Sequence, residues 1–280
     1  MEIIDGNMWV RANGLRFHFR DLGPRSAPPI LFLHGIMGHA YEWDALFAQA
    51  ARNHRILALD QRGHGLSDWN PPYTPEAMAA DILAVIDSLG LVRPHLAGHS
   101  MGGINALLAA ARRPDRVGRL ILIDIGPDSV TTEWAHHQLP AMLTEFAGAA
   151  YADMERAVSA WMAGNPLAQE TYMRHYVRHA LREGPAGKWV WRFDAAGLTE
   201  FSPNARAEEL WMALDQVQNP ALVIRGRESS LLSPETAAAM TRRLRRGSLV
   251  EIADGGHDLG VEQPEAVAAA LVAFLADRSV

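Results

Sequence analysis

The sequence contains no cysteine, and this absence excludes several kinds of chemistry. A chain without thiols can form neither disulfide bonds nor thiolate metal sites, and it cannot use a cysteine as a catalytic nucleophile. Disulfides belong to oxidising compartments, so their absence is consistent with a reducing one. The N-terminus carries acidic residues early and lacks the apolar stretch of a secretory signal. We therefore expect a cytoplasmic protein.

Long hydrophobic runs and a surplus of positive charge are also missing. The longest apolar run, near residues 266–276, is too short to cross a bilayer and predicts a C-terminal helix packed on the core. The net charge is -6 and the isoelectric point is about 6.0, which gives no electrostatic reason to expect nucleic acid as a partner. We expect a small-molecule substrate, with no nucleic-acid or membrane partner, and the sequence leaves the oligomeric state open.

The residues that are present form a globular composition with alternating strands and helices. Of the 280 residues, 49% are hydrophobic and 21% are charged, which suits one large domain or two smaller ones. Short, continuous apolar runs predict strands buried on both faces of a parallel sheet, at 30–34, 55–60, 94–99, 119–124, 221–225 and 248–252. Helical patterns separate them, at roughly 41–51, 75–89, 101–112, 234–245 and 263–277. Asn13-Gly14 favours a hairpin turn before the first of these strands, so the pattern predicts a doubly wound α/β sheet with an antiparallel start.

The alternation stops between Ile125 and about Asn204. No strand-like run occurs there, and helical stretches rich in alanine, methionine, tryptophan and histidine take its place. This break predicts a helical insertion that follows a strand.

The segment Gly98-His99-Ser100-Met101-Gly102 has the pattern G-x-S-x-G. It follows an apolar strand and opens an alanine-rich helix. A sharp strand-to-helix turn exposes the serine hydroxyl, and the flanking small residues allow the backbones to approach closely. This context predicts that Ser100 is a nucleophile. The alternative is a serine that only caps the helix.

An acyl-transfer site needs two backbone N–H donors for the oxyanion. Met101, directly after the serine, is expected to supply one. The loop His34-Gly35-Ile36-Met37-Gly38 follows the strand at 30–34, and Ile36 is expected to supply the other. An ordinary glycine turn is the alternative for this loop.

The general base is expected to follow in chain order. The segment DGGHDLGVEQP places His257 after the last strand, in a loop flanked by glycines. The chain has 12 histidines, so histidine alone means little. The position of His257 at the end of a strand makes it the candidate base.

Together these motifs resemble the α/β-hydrolase superfamily over essentially the whole chain. LHGIMG, LDQRGHGLSD, GHSMGG and GGHD stand in the order and at the spacing of that family. The resemblance implies a mostly parallel eight-stranded sheet with flanking helices, formed by residues 1–126 and 205–280, and a helical cap inserted after the sixth strand as residues 127–204. The family usually uses three polar residues of LDQRGHGLSD for structure, and these are Asp60, Arg62 and His64.

The resemblance leaves the acid of the catalytic triad open. The family usually carries it after the seventh strand, where this chain reads RGRESSLLSPE and has Ser229 and Ser230 at the expected positions. Asp124, at the end of the sixth strand, is the leading candidate. Some members use this position, among them hydrolases of (acetamidomethylene)succinate and of zearalenone lactones. Glu228 could reach the histidine instead, and a Ser-His dyad or an inactive protein is the third explanation.

The resulting chemistry predicts hydrolysis of a small carboxylic ester, lactone or amide. Ser100 attacks the carbonyl while His257 takes its proton, and water later releases the acyl group. No metal ion or organic cofactor is implied. One alternative is a hydrolase that cleaves C–C bonds of ring-fission products, and another is a non-catalytic ligand-binding protein on the same fold.

Substrate contacts are expected from the loop after the strand at 30–34 and from the cap. An arginine pair at i,i+4 spacing could bind a substrate carboxylate, although a solvated helix face is the alternative. A histidine pair at the same spacing, His175 and His179, lacks a third ligand, so we expect no metal there. The candidate pocket residues are Met37, His39, Trp43, Arg174, Arg178, Trp189 and Trp191, and the cap also carries Trp134 and Trp161.

Overall fold

An eight-stranded sheet forms the centre of the computed structural model, which describes residues 6–201 and 205–277. Its strands are β1 (Gly6–Ala12), β2 (Leu15–Leu22), β3 (Pro29–Leu33), β4 (Arg55–Leu59), β5 (His95–His99), β6 (Leu120–Ile123), β9 (Ala221–Gly226) and β10 (Gly247–Ile252). They lie in the order β1-β2-β4-β3-β5-β6-β9-β10. β2 pairs antiparallel with β1 and β4, and the other pairs are parallel.

Helices connect these strands and cover both faces of the sheet. They are α1 (Asp44–Ala50), α2 (Pro75–Ser88), α3 (Met101–Arg112), α4 (Leu139–Gly148), α5 (Met154–Gly164), α6 (Glu170–Ala180), α7 (Ala195–Leu198), α8 (Ala207–Gln216), α9 (Pro234–Arg243), α10 (Leu259–Glu262) and α11 (Pro264–Ala276). Among the described helices, none is long and apolar enough to cross a membrane.

The central parallel strands β3, β4, β5, β6 and β9 are mainly apolar because both of their faces are buried. In β3, Leu31 and Leu33 pack into the core beneath α2, α3, α8 and α9. Ile30 and Phe32 point to the opposite face and pack beneath α1 and α11. The predicted α/β-hydrolase architecture, a mostly parallel eight-stranded sheet with flanking helices, is confirmed.

The antiparallel start depends on the turn between β1 and β2. Asn13 and Gly14 have φ angles of 49° and 78°, and Ala12 pairs with Leu15 across the turn. Asparagine and glycine tolerate positive φ better than other residues, so this pair fits the two-residue hairpin turn. The first hairpin therefore forms where the sequence predicts it.

Two elements differ from the sequence prediction. The helix α8 was not expected, and the segment expected to lack strands contains a short hairpin of β7 (Leu181–Glu183) and β8 (Trp189–Trp191). Each of these strands has only three residues, too few to show a period of two.

The inserted segment leaves the sheet after β6 and contains α4 to α7 and the β7–β8 hairpin. It returns to the sheet through α8 and β9. The predicted end of the cap at 204 lies outside the described residues, so the limits 127–204 stay a prediction.

Candidate active site

Ser100 occupies the sharp turn between β5 and α3. Its φ of 50° and ψ of -121° are strained for a residue with a side chain. A Cβ on Gly98 would collide with the carbonyl of Gly102, and one on Gly102 would collide with the carbonyl of Leu33. The two glycines therefore allow α3 to begin directly against β3 and β5, which holds the serine at the end of the sheet.

The Ser100 side chain does not cap α3. Its hydroxyl lies 3.0 Å from Nε2 of His257, which follows β10 in a loop that reaches back over β5. The histidine side chain is 18% exposed, so it borders the substrate space. The hydrogen bond joins the two residues that the sequence predicts as nucleophile and base.

Asp124 lies directly after β6 and contacts the other nitrogen of His257. Its Oδ2 is 2.9 Å from His257 Nδ1, and the aspartate is fully buried. Oδ1 accepts the Gly226 N–H at 2.9 Å, and Oδ2 accepts the Ser229 hydroxyl at 2.5 Å. Since a carboxylate only accepts, Nδ1 carries the histidine hydrogen, and Nε2 is free to accept one from Ser100.

Ser229 is a functional neighbour that sequence reasoning missed. It occupies one of the positions where the family usually has its acid, and from the sequence alone it indicates only that the usual carboxylate is missing. Its oxygen accepts the N–H groups of Leu231 and Leu232 at 3.2 and 3.1 Å, which aims the hydroxyl hydrogen at Asp124. A hydroxyl residue at the vacated position was the available signal.

Glu228, the alternative acid, is placed differently. It is exposed and lines the cavity, while its N–H bonds the carbonyl of Gly255. Within residues 6–201 and 205–277, no hydrogen bond joins its carboxylate to His257. The structure thus brings Asp124 to the histidine and leaves Glu228 at the cavity wall.

The loop after β3 forms a tight turn beside Ser100. The Gly35 carbonyl accepts the Gly38 N–H at 3.0 Å and is 2.7 Å from His34 Nδ1. His34 Nε2 accepts the N–H of Gln61, so Nδ1 carries the hydrogen and donates to that carbonyl. The C=O and N–H of a trans peptide point in opposite directions. The Ile36 N–H therefore points away from the turn, and Ile36 lines the cavity with Ser100.

Met101 supplies the second predicted amide. It is the first residue of α3, and the first N–H groups of a helix have no partner within it. They also carry the positive end of the helix dipole. The Met101 amide thus directly follows the nucleophile at a position that favours negative charge.

A cavity of about 480 Å³ opens onto Ser100 and His257. The inserted segment forms much of its apolar wall, with Trp134, Met142, Phe146, Trp161 and Met173. Four carboxylate side chains also reach the cavity, and these are Glu42, Glu228, Asp258 and Glu262. No lysine or arginine of the described chain is among its lining residues.

His99 adds a positive charge to this acidic wall. Burial lowers its pKa, but the nearby Glu42 carboxylate, 3.4 Å from Nδ1, outweighs burial and raises the pKa to about 9. Its Nε2–H donates to the His257 carbonyl at 2.8 Å. Glu262 accepts the amides of Gly256 and Asp258, and burial raises its pKa. The negative charge of Glu42 is thus the one in the cavity wall that protonated His99 neutralises.

One cluster has donor atoms close enough to share a metal ion. One ring nitrogen each of His99 and His257 and one carboxylate oxygen of Asp258 lie within 4.8 Å of one another among the described residues. Both nitrogens of His257 are already hydrogen-bonded, and Glu42 favours the protonated form of His99, which is a poor ligand. We assign the cluster no metal, and a metal-free reaction stays a prediction.

The structure separates the predicted pocket residues of the β3 loop. Met37 lines the cavity, whereas His39 is buried away from it, where burial lowers its pKa to about 4. Its Nε2–H donates to the Tyr176 carbonyl at 2.9 Å. Trp43 packs against Phe32 in the core under α1 and α11. The pocket assignments of His39 and Trp43 were therefore wrong.

The arginine pair also lies outside the cavity. Arg174 is 43% exposed and bonds the carboxylates of Glu155 and Glu170, and Arg178 is exposed. The solvated face is the correct alternative, so the pair is not a carboxylate site. His179 donates from Nδ1 to the carbonyl of His175 in the same helix.

The tryptophans of the inserted segment divide between the cavity and the packing behind it. Trp134 and Trp161 line the cavity. Trp191 is buried and packs on Trp161 and Phe146, and Trp189 pairs through its backbone with Tyr151. Assigning Trp189 and Trp191 to the pocket was wrong, because neither lines the cavity and Trp191 lies in the segment's own aromatic cluster.

The polar residues of LDQRGHGLSD make structural contacts. Burial alone would raise the pKa of Asp60, but the hydrogen bond from His18 outweighs it and lowers the pKa to about 2. Arg62 forms a buried ion pair with Asp81. His64 accepts the N–H of Met37 at 3.2 Å, so it supports the turn beside Ser100.

Comparison with known proteins identifies the fold family of this chain. The family model described as the alpha/beta hydrolase fold matches residues 28–264. The chain is 29% identical over 247 residues to an esterase of Mycobacterium tuberculosis, covering 86% of this chain and 80% of that protein. It is 32% identical over 253 residues to the 2-(acetamidomethylene)succinate hydrolase of Mesorhizobium japonicum, covering 89% and 88%.

The solved structures show the same fold. The crystal structure of an E-2-(acetamidomethylene)succinate hydrolase has a TM-score of 0.88 at 24% identity, covering 99% of this chain and all of that one (100%). With the family model matched over most of its length, this chain belongs to the α/β-hydrolase fold family.

Proposed function

We propose that this protein is a serine hydrolase that cleaves a small carboxylic ester, lactone or amide. The observation that carries the proposal is the hydrogen-bonded chain from Ser100 through His257 to the buried Asp124, with distances of 3.0 and 2.9 Å. The nucleophile stands in a strained turn at the start of a helix, the arrangement that acyl transfer on this fold requires.

In the proposed mechanism, Ser100 attacks the substrate carbonyl as His257 Nε2 accepts its proton. Asp124 holds the ring in the required tautomer and stabilises the imidazolium. The amides of Ile36 and Met101 bind the oxyanion. His257 then protonates the leaving group, and the same ring activates the water that hydrolyses the acyl-enzyme.

The relatives support this class of reaction. Their names include esterases, lipases and a hydrolase of an acetamidomethylene compound, and an enol-lactonase shares the fold. Other relatives are named epoxide hydrolases, so the names support hydrolysis without selecting one bond type.

We further propose that the preferred acyl group is apolar and uncharged. The cavity wall is formed largely by aromatic and aliphatic side chains, and its carboxylates outnumber its one cationic histidine. A succinate derivative carries carboxylates, which would lie close to Asp258 and Glu228. None of the described residues that line the cavity is an arginine or lysine that could neutralise them. Like charges in a confined site repel strongly, so transfer of that relative's substrate to this chain is disfavoured.

The inserted segment, predicted as residues 127–204, is proposed to act as the cap that selects the acyl group. Trp134 and Trp161 are its tryptophan side chains at the cavity. The aromatic cluster around Trp191 supports Trp161 from behind. Replacing Trp161 should therefore change acyl-chain preference more than reactivity of the serine.

The test of the catalytic proposal is labelling by a fluorophosphonate, read as the intact protein mass. Wild type should gain one adduct, and Ser100→Ala should gain none. Labelling of Ser100→Ala at the wild-type rate would contradict the assignment of the nucleophile. Absence of labelling in correctly folded wild type would favour a ligand-binding protein.

The test of the charge proposal uses two nitrophenyl esters of equal chain length. The butyrate is uncharged, and the succinate monoester carries a carboxylate at the far end. We expect a higher kcat/KM for the butyrate, and a smaller difference in Asp258→Asn. Glu133→Gln, an exposed acid outside the cavity, is the matched control. Equal or faster cleavage of the succinate ester would refute the proposal.

A further inference from the structure

The turn that holds Ile36 contains a strained residue. Met37 has a φ of 68°, a left-handed conformation that non-glycine residues adopt at a cost. Such a conformation persists only where the surrounding structure enforces it. Contacts outside the turn must therefore hold Met37 in place.

Two tertiary hydrogen bonds hold the backbone of Met37, one at each end. Its N–H donates to His64 Nε2 at 3.2 Å, and the other nitrogen of His64 donates to the Arg62 carbonyl. The Met37 carbonyl accepts a hydrogen bond from the Tyr176 hydroxyl at 3.0 Å. Burial raises the pKa of Tyr176 well above its ordinary value, so the phenol stays protonated and remains a donor.

Tyr176 also holds the end of the same loop through its main chain. Its carbonyl accepts Nε2–H of His39 at 2.9 Å, and the two rings lie 4.6 Å apart. Tyr176 belongs to α6 of the inserted segment, whereas Met37 and His39 belong to the β3 loop. One residue of the insertion therefore contacts this loop at two positions, Met37 and His39.

We infer that Tyr176 is a positioning residue. By joining the inserted segment to the β3 loop, it keeps the Ile36 amide in the position where it binds the oxyanion. The inference rests on the proposed function, since it assigns that amide a role in acyl transfer. The tyrosine hydroxyl opposes relaxation of Met37 out of its strained conformation. Without it, the turn can shift and carry the Ile36 N–H away from the position of the oxyanion.

The test compares Tyr176→Phe with Tyr172→Phe. Tyr172 lies in the same helix and also donates its hydroxyl to a residue outside the insertion, the exposed Glu265 of α11, rather than to the turn. For a nitrophenyl butyrate, we expect Tyr176→Phe to lower kcat about 10-fold with little change in KM, a part of the 10²–10³ lost when an oxyanion donor is removed. Tyr172→Phe should leave kcat unchanged.

Two further measurements separate positioning from a general structural effect. A trifluoromethyl ketone forms an oxyanion on the serine, so its affinity should fall by the same factor as kcat in Tyr176→Phe. Glycine tolerates positive φ without strain. In a Met37→Gly background, removal of the Tyr176 hydroxyl should therefore lower kcat much less than in wild type.

Equal kcat values for Tyr176→Phe and Tyr172→Phe would overturn the inference, as would a rise in KM alone. So would unchanged ketone affinity, or an undiminished effect of Tyr176→Phe in the Met37→Gly background. Retained turnover in Ser100→Ala would instead refute the proposed function itself. An inactive Ser100→Ala together with a normal Tyr176→Phe would refute only the positioning role.

Discussion

Replacing Asp124 by asparagine tests how the histidine tautomer is set. The variant keeps the size of the side chain but converts one acceptor into an NH2 donor. If the amide oxygen faces the Gly226 N–H, the NH2 group faces His257 Nδ1 and donates to it. The hydrogen of the neutral ring then lies on Nε2, facing Ser100, where it blocks proton transfer.

The opposite orientation of the amide is unfavourable. It would place the NH2 group against the Gly226 N–H in a fully buried site, and a buried unsatisfied donor costs about 1–3 kcal/mol. In the first orientation the NH2 group also faces the Ser229 hydroxyl, but a hydroxyl can rotate and accept from it, whereas the Gly226 N–H is fixed. The wrong tautomer is thus the favoured state. The corresponding change in serine proteases lowers kcat about 10⁴-fold, which corresponds to about 5 kcal/mol.

The assay is the rate constant of fluorophosphonate labelling, measured beside the thermal unfolding temperature. The labelling rate constant of Asp124→Asn should fall by three to four orders of magnitude, the size of effect seen for triad acids. The labelling rate constant of Glu228→Gln should stay close to that of wild type. A folded Asp124→Asn with nearly normal labelling would refute the reasoning. A comparable loss of labelling rate in Glu228→Gln would identify Glu228, at the cavity wall, as the triad acid.

Three further predictions concern the surroundings of the triad. Ser229→Ala should lower kcat about 10-fold, because it removes a hydrogen bond to the Asp124 carboxylate worth about 1.5–3 kcal/mol; unchanged kcat in steady-state assays would contradict this. The raised pKa of His99 stabilises the fold below pH 6.5, and this stabilisation is lost as pH rises through about 9. Glu42→Gln should therefore lower the unfolding temperature near pH 6 and have a progressively smaller effect above pH 9, and a difference that grows with pH would be inconsistent with the pair. Trp161→Ala should shift ester preference toward longer acyl chains, as measured by kcat/KM across a chain-length series, while fluorophosphonate labelling changes little; an unchanged preference would show that Trp161 does not limit the cavity.

The sheet and its catalytic turn were predictable because their signals are local. Strands of a parallel sheet read as continuous apolar runs, and such runs located β3 to β6, β9 and β10 within about two residues. The glycines around Ser100 are required by backbone contacts within the turn and the adjacent strand. The inserted hairpin β7–β8 could not be found in this way, since three residues show no period.

The pocket was predicted less well than the triad. Arg174 and Arg178 share a helix face in the sequence, but which way that face points depends on how α6 packs. His39 directly follows the turn that contains Ile36, yet its hydrogen bond to the Tyr176 carbonyl keeps it out of the cavity lining. Pocket membership is a property of side-chain direction, which spacing alone does not give.

The alternation of the parallel strands with their helices, the serine turn and the histidine loop could be inferred from the sequence alone, because each follows from residues adjacent in the chain. The contact of His257 with Asp124 rather than Glu228, and the support of the acid by Ser229, emerge only from the three-dimensional packing. Those contacts join the ends of β6, β9 and β10, which are far apart in the chain. Neighbouring parallel strands bring their carboxyl ends to one edge of the sheet, and packing alone fixes which side chains meet there.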